Sequence, residues 1–140
     1  MMLNEEGKSP FILLYHRTPF DEVVDEQGNR TWGDQKSPNG IIPTLRNLFR
    51  SHLDGTWIAW RQVDDAQSCD DERIAMEQPA PFTLRRIPLE QYQISSFYHV
   101  TSKESFWPIL HTFPNYFDVN NADWGIFEEV NRRFAEAACS

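Results

Sequence analysis

Phe11-Ile12-Leu13-Leu14-Tyr15 is a continuous apolar run of the kind that forms a short strand. Apolar residues without alternation are typical of a strand that is buried on both faces, as the strands of parallel sheets are. The polar pair His16-Arg17 follows the run directly. Because ligands bind outside the carboxyl ends of the strands in open parallel sheets, Arg17 stands where a ligand crevice is expected. The run therefore predicts an α/β fold with a buried first strand.

The pattern that follows this run alternates between strands and helices. Val23-Val24 and Arg30-Thr31-Trp32 predict a hairpin with its turn at Gly28-Asn29. A helix is predicted between Gly40 and Asp54-Gly55, because apolar residues recur there at helical spacing. Its apolar face consists of Ile41, Leu45, Leu48, Phe49 and Leu53.

The rest of the chain continues the alternation. Thr56–Val63 and Phe82–Leu89 predict two further strands. The polar stretch Asp64–Ala80 between them predicts a surface loop with a short helix around Glu72–Met76. Asn121–Ala138 predicts the clearest helix of the chain. Its apolar face consists of Trp124, Phe127, Val130 and Phe134.

Composition limits the class of protein. The 140 residues carry a formal charge of −8 with an isoelectric point near 4.9, which argues against binding nucleic acid. There is no apolar run of about 18 residues and no signal-peptide pattern, so we expect a soluble, cytoplasmic protein without a membrane span. Cys69 and Cys139 have no partner at metal-ligand spacing, and we interpret them as structural or incidental thiols.

Two segments of the first half suit the binding of phosphate. Asn39-Gly40 precedes the predicted helix, and a glycine there lets an anion such as a diphosphate approach the helix amides. An ordinary turn is the alternative for this dipeptide. Arg17 can hold a phosphate by two donors at once. The alternative for Arg17 is a surface arginine that pairs with Asp21 or Glu22.

The segment Phe97–Phe113 is rich in aromatic rings and contains two histidines. Aromatic bodies with polar tips suit a sugar phosphate, whose ring is apolar on its faces and polar at its rim. A helix that begins near Ser102 is predicted to place Trp107 and Leu110 on one inward face. We interpret Phe97 and Phe106 as core residues and Tyr98 and Trp107 as site residues. Core packing is the alternative for Trp107, and Lys103 either reaches a phosphate or faces water.

No complete set of catalytic residues is recognisable in the chain. His16 and His52 have no serine or cysteine nucleophile in a catalytic pattern with them, and His99 and His111 have no carboxylate at metal spacing. Paired carboxylates occur only in the acidic stretch Asp64–Ala80, which is more typical of a solvated surface. We therefore predict no catalytic residue within this chain, no metal and no cofactor.

Five blocks of the sequence, in the same order, resemble the glucosylglycerol-phosphate synthase family of retaining glycosyltransferases, which is related to the trehalose-phosphate synthases. The blocks are Leu13–Arg17 with Pro19–Val23, Lys36–Leu45, Thr56–Trp60, Tyr98–His111, and Asp123-Trp124 with Val130–Arg132. The resemblance covers nearly the whole chain except Asp64–Ala80.

This resemblance implies a fold and a reaction. Members of the family have a two-domain GT-B architecture, and residues 1–140 resemble part of the N-terminal, acceptor-side Rossmann-like domain. The C-terminal domain that holds the nucleotide sugar is absent from this chain, so we expect the chain alone to be inactive. The implied reaction transfers glucose from ADP-glucose to glycerol 3-phosphate with retention of the α configuration. It serves compatible-solute synthesis under salt stress.

The resemblance also implies roles for single residues. Asn39 and Gly40 correspond to the loop that closes over the donor phosphates, and Arg17, Tyr98 and Trp107 correspond to residues of the acceptor site. Asn39 stands where trehalose-phosphate synthases usually have the first glycine of a Gly-Gly pair, which favours the glucosylglycerol-phosphate branch. The alternatives are a trehalose-phosphate synthase and a non-catalytic module that binds sugar phosphates or a partner synthase.

Overall fold

The structure, a computed structural model, describes residues 11–35, 40–50, 55–65, 69–75, 81–116 and 118–140. The predictions for Asn39, His52, Leu53 and Asp54 lie outside these residues. The chain divides into two units. The first contains the described residues up to 59 together with 70–86, and the second contains the described residues of 60–69 and 87–140.

The described residues form six strands: β1 (Ile12–Leu14), β2 (Asp21–Val24), β3 (Arg30–Gly33), β4 (Thr56–Val63), β5 (Asp70–Ile74) and β6 (Phe82–Glu90). One sheet has the order β1-β4-β6-β5, and β2 and β3 form a separate pair. β1 is parallel to β4, whereas β5 is antiparallel to β6. The predicted hairpin and the predicted strands at β4 and β6 are confirmed.

The helical elements are α1 (Ile41–Asn47), α2 (Gln91–Ile94), a π-helical segment (Ser95–Phe106), α3 (Trp107–Leu110) and α4 (Trp124–Cys139), with 3₁₀ turns at Leu48–Arg50 and Pro114–Tyr116. Helices thus accompany a sheet that contains a parallel pair, and the predicted α/β class is confirmed.

β1 differs from its prediction, because it is not buried on both faces. It lies at the edge of the sheet, where Ile12 is 39% and Leu14 is 53% exposed. Leu13 packs on the core of the first unit with Phe11 and Tyr15, its neighbours on the same face of the strand. An uninterrupted apolar run contains no alternation, so it could not show that only one face is covered.

The hairpin β2–β3 turns through residues 25–29, as predicted. The Asp25 carboxylate accepts hydrogen bonds from the amides of Gln27 and Asn29 and from the Asn29 side chain. The bond from the Asn29 side chain is the largest cause of the lowered pKa of Asp25. Gly28 has φ +83°, a left-handed conformation that glycine adopts without strain.

The core of the first unit brings together buried apolar residues from its strands and from α1. Ile42 and Phe49 are buried there, whereas the predicted face residues Ile41 and Leu48 are exposed. The prediction is confirmed for Phe49 and for Leu45, which is partly buried against this core, and it was wrong for Ile41 and Leu48. Leu48 differs because α1 ends at Asn47 and the chain tightens there into a 3₁₀ turn. The buried members of the core are Phe20, Ile42, Phe49, Trp57, Ala59, Ile74, Phe82 and Leu84.

Asp70–Ile74 contradicts the prediction of a loop with a short helix. The segment is β5, and its charged residues pair across the strands with β6, where Asp71 lies opposite Arg85 and Asp70 opposite Arg86. These partners are 14 and 16 residues away in the sequence. A search for apolar periodicity does not detect a strand whose side chains are matched by charge.

The second unit contains one continuous helical stretch from Gln91 to Leu110, so the predicted start near Ser102 was wrong. Glu90 caps the start of this stretch, because it forms a reciprocal capping box with Gln93. Its hydrogen bonding widens to the π pattern between Ser95 and Phe106.

α4 packs its aromatic residues against this helical stretch. Phe97 stacks on Phe127 with ring centroids 5.3 Å apart, and Phe106 contacts both Trp124 and Phe127. Phe97 and Phe106, which were interpreted as core residues, therefore pack against α4, although both remain partly exposed. Asp123 caps α4 by accepting the amide of Ile126.

Candidate functional site

Arg17 lies in a bend just after β1, and its side chain is exposed. The Tyr15 amide donates to the Ile58 carbonyl at 3.0 Å, which extends the pairing of β1 with β4. The Arg17 carbonyl accepts a hydrogen bond from Nε1 of Trp57 at 2.8 Å. The backbone of this bend is therefore attached to β4 while the guanidinium is in contact with solvent.

Of the two alternative partners, Asp21 and Glu22, the carboxylate of Glu22 is already occupied. Its carboxylate accepts from Arg30 at 3.2 Å and from Arg86 at 3.3 Å. Among the residues that the structure describes, no carboxylate pairs with the Arg17 guanidinium. Within the described residues, therefore, no ion pair accounts for the presence of an arginine at position 17.

Gly40 begins α1 with an ordinary right-handed backbone, φ −60° and ψ −14°. A β-carbon added there would meet nothing within 4 Å. Neither the conformation nor the packing of the described residues requires a glycine at this position, in contrast to Gly55, where an added β-carbon would lie 2.7 Å from the Phe49 ring.

Tyr98 lies in the π-helical segment and is half-buried. Its ring contacts the edge of Trp60 at a centroid distance of 5.7 Å. Nζ of Lys103 lies 4.6 Å from the centre of the Tyr98 ring, a cation–π contact. The sequence did not decide whether Lys103 reaches a phosphate or faces water. In the structure its ammonium group lies against the Tyr98 ring.

Trp107 begins α3 and is 50% exposed, and Leu110 is 77% exposed. The predicted inward face for these two residues was wrong. The inward positions are Thr101, Ser105 and Pro108. These small or polar residues give no hydrophobic signal, and the helix begins eleven residues before the predicted start, at Gln91. Trp107 stacks on His111 at 4.3 Å and on Phe113 at 6.1 Å.

An open pocket of about 570 Å³ lies beside Trp107 in the second unit. Its other walls include Lys103, Glu104, Tyr116, Asp118 and Asn121. A cation, two carboxylates and an amide beside two aromatic rings match the amphipathic character of a small polyol or sugar.

The far wall of this pocket was missed by the sequence reasoning. Tyr116, Asp118 and Asn121 belong to the connection between α3 and α4. The Asp118 amide donates to the Glu104 carbonyl at 3.1 Å, and the Ser105 hydroxyl donates to the Asp118 carbonyl. The only signal was the cluster of turn-forming residues after Phe113, which predicts a loop but not its contacts.

The predicted site residues fall into both units. Arg17 and Gly40 belong to the first unit, and Tyr98 and Trp107 belong to the second. Within the second unit Lys103 connects the two aromatic positions, because it contacts Tyr98 and lines the pocket beside Trp107. Asn39 lies outside the described residues. Within the described ranges, no cluster of three His, Cys, Asp or Glu residues is placed to hold a metal ion.

No helix among the described residues has both the length and the apolar character needed to span a bilayer.

Comparison with known proteins gives concordant results for sequence and structure. The model of glycosyltransferase family 20 matches residues 9–140. The chain is 47% identical over 135 residues to the glucosylglycerol-phosphate synthase of Synechocystis sp., covering 94% of this chain and 27% of that protein. It is 33% identical over 136 residues to the trehalose-6-phosphate synthase of Mycolicibacterium gilvum, covering 94% of this chain and 26% of that protein.

Among solved structures, the chain resembles the α,α-trehalose-phosphate synthase (UDP-forming) of Burkholderia vietnamiensis with a TM-score of 0.62 and 16% identity, over 92% of this chain and 26% of that one. This likeness shows the fold, and the predicted Rossmann-like α/β class is confirmed. The chain spans about a quarter of the length of the curated relatives that it matches.

Proposed function

The chain belongs to glycosyltransferase family 20, and from this premise we propose that it forms the acceptor side of a glucosylglycerol-phosphate synthase. The observation that carries the proposal is the higher identity to a glucosylglycerol-phosphate synthase than to a trehalose-6-phosphate synthase over the same length of chain. The donor is ADP-glucose and the acceptor is glycerol 3-phosphate. The enzyme acts in the cytoplasm, and its product is the precursor of a compatible solute.

The proposed acceptor residues supply charge and an amphipathic surface. Arg17 is an exposed guanidinium that can donate two parallel hydrogen bonds to a phosphate. Tyr98 and Trp107 provide aromatic surface with polar tips, and Lys103 adds a second cation beside Tyr98. A small acceptor with one phosphate and free hydroxyl groups fits this combination of groups.

The proposed donor residues are Asn39 and Gly40. The diphosphate of the donor approaches the start of α1 where Gly40 has no side chain to obstruct it. Asn39 is assigned to the same loop from the family resemblance alone. No cofactor is proposed, because the nucleotide sugar is itself a substrate.

The proposed reaction requires binding and orientation from this chain, not a nucleophile. The bond between C1 of glucose and the diphosphate breaks, and C1 forms a bond to a hydroxyl oxygen of glycerol 3-phosphate. The proton of that hydroxyl passes to a phosphate oxygen of the donor, and ADP leaves. Binding of the acceptor through its phosphate and its hydroxyl groups orients the reacting hydroxyl toward C1, which lowers the entropic part of the barrier.

The function is tested in a chimera in which residues 9–140 replace the matching segment of the Synechocystis enzyme. We expect ADP release from ADP-glucose and glycerol 3-phosphate, with a kcat/KM for glucose 6-phosphate lower by about 100-fold or more, since a site that is specific for glycerol 3-phosphate accommodates a bulkier sugar phosphate poorly. The unaltered Synechocystis enzyme is the positive control, and the 140-residue chain alone, expected to release no ADP, is the negative one.

Two outcomes would replace the proposal. A preference for glucose 6-phosphate would identify a trehalose-phosphate synthase. A folded chimera that uses neither acceptor, although its parent enzyme is active, would favour a non-catalytic module.

Gly40→Ala separates a donor role from a folding role. The added methyl group meets nothing within 4 Å and the backbone is already right-handed, so the free energy of unfolding should stay the same or rise by up to about 1 kcal/mol. In the chimera we expect the KM for ADP-glucose to rise about tenfold, because the methyl group lies in the path of the diphosphate. Urea denaturation and initial rates measure the two quantities. An unchanged donor KM would remove Gly40 from the donor site.

A further inference from the structure

Trp57 joins the buried core to the exposed Arg17. The Trp57 side chain is fully buried, and its ring packs against Phe49, Phe82 and Tyr15. Its one polar atom, Nε1, donates to the Arg17 carbonyl at 2.8 Å. A buried indole N–H requires an acceptor, and here the acceptor is the backbone of a proposed substrate-binding residue.

The residue after Arg17 is attached independently. Nε2 of Gln35 donates to the Thr18 carbonyl at 3.1 Å, and the Thr18 hydroxyl donates to the Phe20 carbonyl at 2.8 Å. Pro19 and Phe20 are buried. The backbone at Arg17 is thus fixed by hydrogen bonds to the carbonyl groups of Arg17 and Thr18. The buried side chains of the next two residues anchor it further.

We propose that Trp57, assisted by Gln35, is a positioning residue for Arg17, an inference that rests on the proposed acceptor role of Arg17. The indole N–H fixes the orientation of the peptide group between Arg17 and Thr18. That peptide sets the direction in which the Arg17 side chain leaves the backbone. The Arg17 side chain is therefore pre-organised before the acceptor binds, so that it loses less conformational freedom on binding.

The test compares two substitutions that remove the same kind of bond. Trp57→Phe keeps an aromatic ring in the core but removes the donor to Arg17. Trp32→Phe removes an indole N–H that donates to the Glu72 carboxylate at 2.9 Å, in the same unit but not to the Arg17 bend. In the chimera we expect Trp57→Phe to raise the KM for glycerol 3-phosphate about tenfold with kcat and donor KM within about twofold, and Trp32→Phe to leave all three unchanged.

A second readout does not depend on activity. In the 140-residue chain, ¹⁵N relaxation should show larger fast motions of the amides of residues 16–18 in Trp57→Phe than in the wild type, and no change in Trp32→Phe. Gln35→Ala, which leaves the core intact, should show a smaller increase at the same amides. It serves as the deciding variant if Trp57→Phe does not fold.

The outcomes separate the inference from the function on which it rests. A wild-type chimera that does not use glycerol 3-phosphate refutes the proposed function, and relaxation alone then decides whether Trp57 orders the bend. Unchanged motion of residues 16–18 in Trp57→Phe, or in Gln35→Ala where only that variant folds, overturns the positioning role. An equal rise of acceptor KM in Trp32→Phe also overturns it, because it would reflect general loosening of the unit.

Discussion

Arg17→Ala is expected to lower kcat/KM for glycerol 3-phosphate in the chimera by about 100- to 1000-fold, because a bidentate, charge-assisted contact with the acceptor phosphate is lost. The KM for ADP-glucose should not change, since the proposed donor residues are elsewhere in the chain. The free energy of unfolding should change by less than about 0.5 kcal/mol, because Arg17 is exposed and pairs with no carboxylate in the described ranges. Initial rates and urea denaturation measure these effects.

Two further variants make this prediction specific. Arg17→Lys keeps the charge but not the planar fork, so it should recover only part of the lost efficiency. Arg132→Ala removes another exposed arginine, which pairs with Glu136 along α4, and should leave acceptor kinetics unchanged. If Arg17→Ala has a normal KM for glycerol 3-phosphate, the acceptor phosphate is held by another group, and Lys103 becomes the next candidate.

The parts of the fold that sequence could predict are those with local signals. β4 has the predicted bounds because its ends coincide with Gly55 on one side and a polar stretch on the other. The hairpin could be predicted because the residues that stabilise its turn, Asp25, Gly28 and Asn29, are neighbours in the sequence. α4 was recognised because its apolar residues recur at helical spacing over four turns.

The elements that were mispredicted depend on partners distant in the sequence. β5 is charged at every position before Ile74 and becomes a strand through pairing with arginines of β6. The helical stretch that begins at Gln91 buries Thr101 and Ser105, so polar residues interrupt the apolar pattern of its inward face. Neither feature can be read from a window of neighbouring residues.

The candidate site also contains residues with a local sequence signal and contacts that depend on residues distant in the sequence. Arg17, Gly40, Tyr98 and Trp107 could be proposed as site residues because they lie in short segments that resemble a family. Trp57 could not be connected with Arg17 from the sequence, because its contact is with the carbonyl of a residue 40 positions earlier. A backbone acceptor has no side-chain signature, so only the structure could connect Trp57 to Arg17.

The second large effect is expected from Arg86, which is only 5% exposed. Its guanidinium binds both carboxylate oxygens of Asp70 at 2.8 and 2.9 Å and lies 3.3 Å from Glu22. It also lies 5.6 Å from the centre of the Trp32 ring. Arg86 thus connects the hairpin β2–β3 to strands β5 and β6 within the first unit.

Arg86→Met should reduce the free energy of unfolding by about 3 kcal/mol, because it leaves carboxylates near one another without their buried cation. Arg85→Met is the matched control, since Arg85 is adjacent on β6 and binds Asp71 through two bonds of 2.8 Å, but at a more exposed position. We expect Arg85→Met to cost about 1 kcal/mol or less. Urea denaturation of the chain at pH 7 measures both costs.

Acidity and salt distinguish the two arginines further. Arg85 lowers the pKa of Asp71, so their pairing stabilises the fold above the ordinary pKa of an aspartate and this contribution is lost as the pH falls through the lowered value. The loss in free energy of unfolding caused by Arg85→Met should therefore be smaller in acid. It should also be smaller in high salt, because the ions screen this exposed pair. The cost of Arg86→Met should persist in high salt, since that guanidinium is buried. If the two variants lose the same free energy of unfolding at pH 7, burial does not make Arg86 more important than Arg85. The hairpin β2–β3 would then not depend on the Arg86 guanidinium for its attachment.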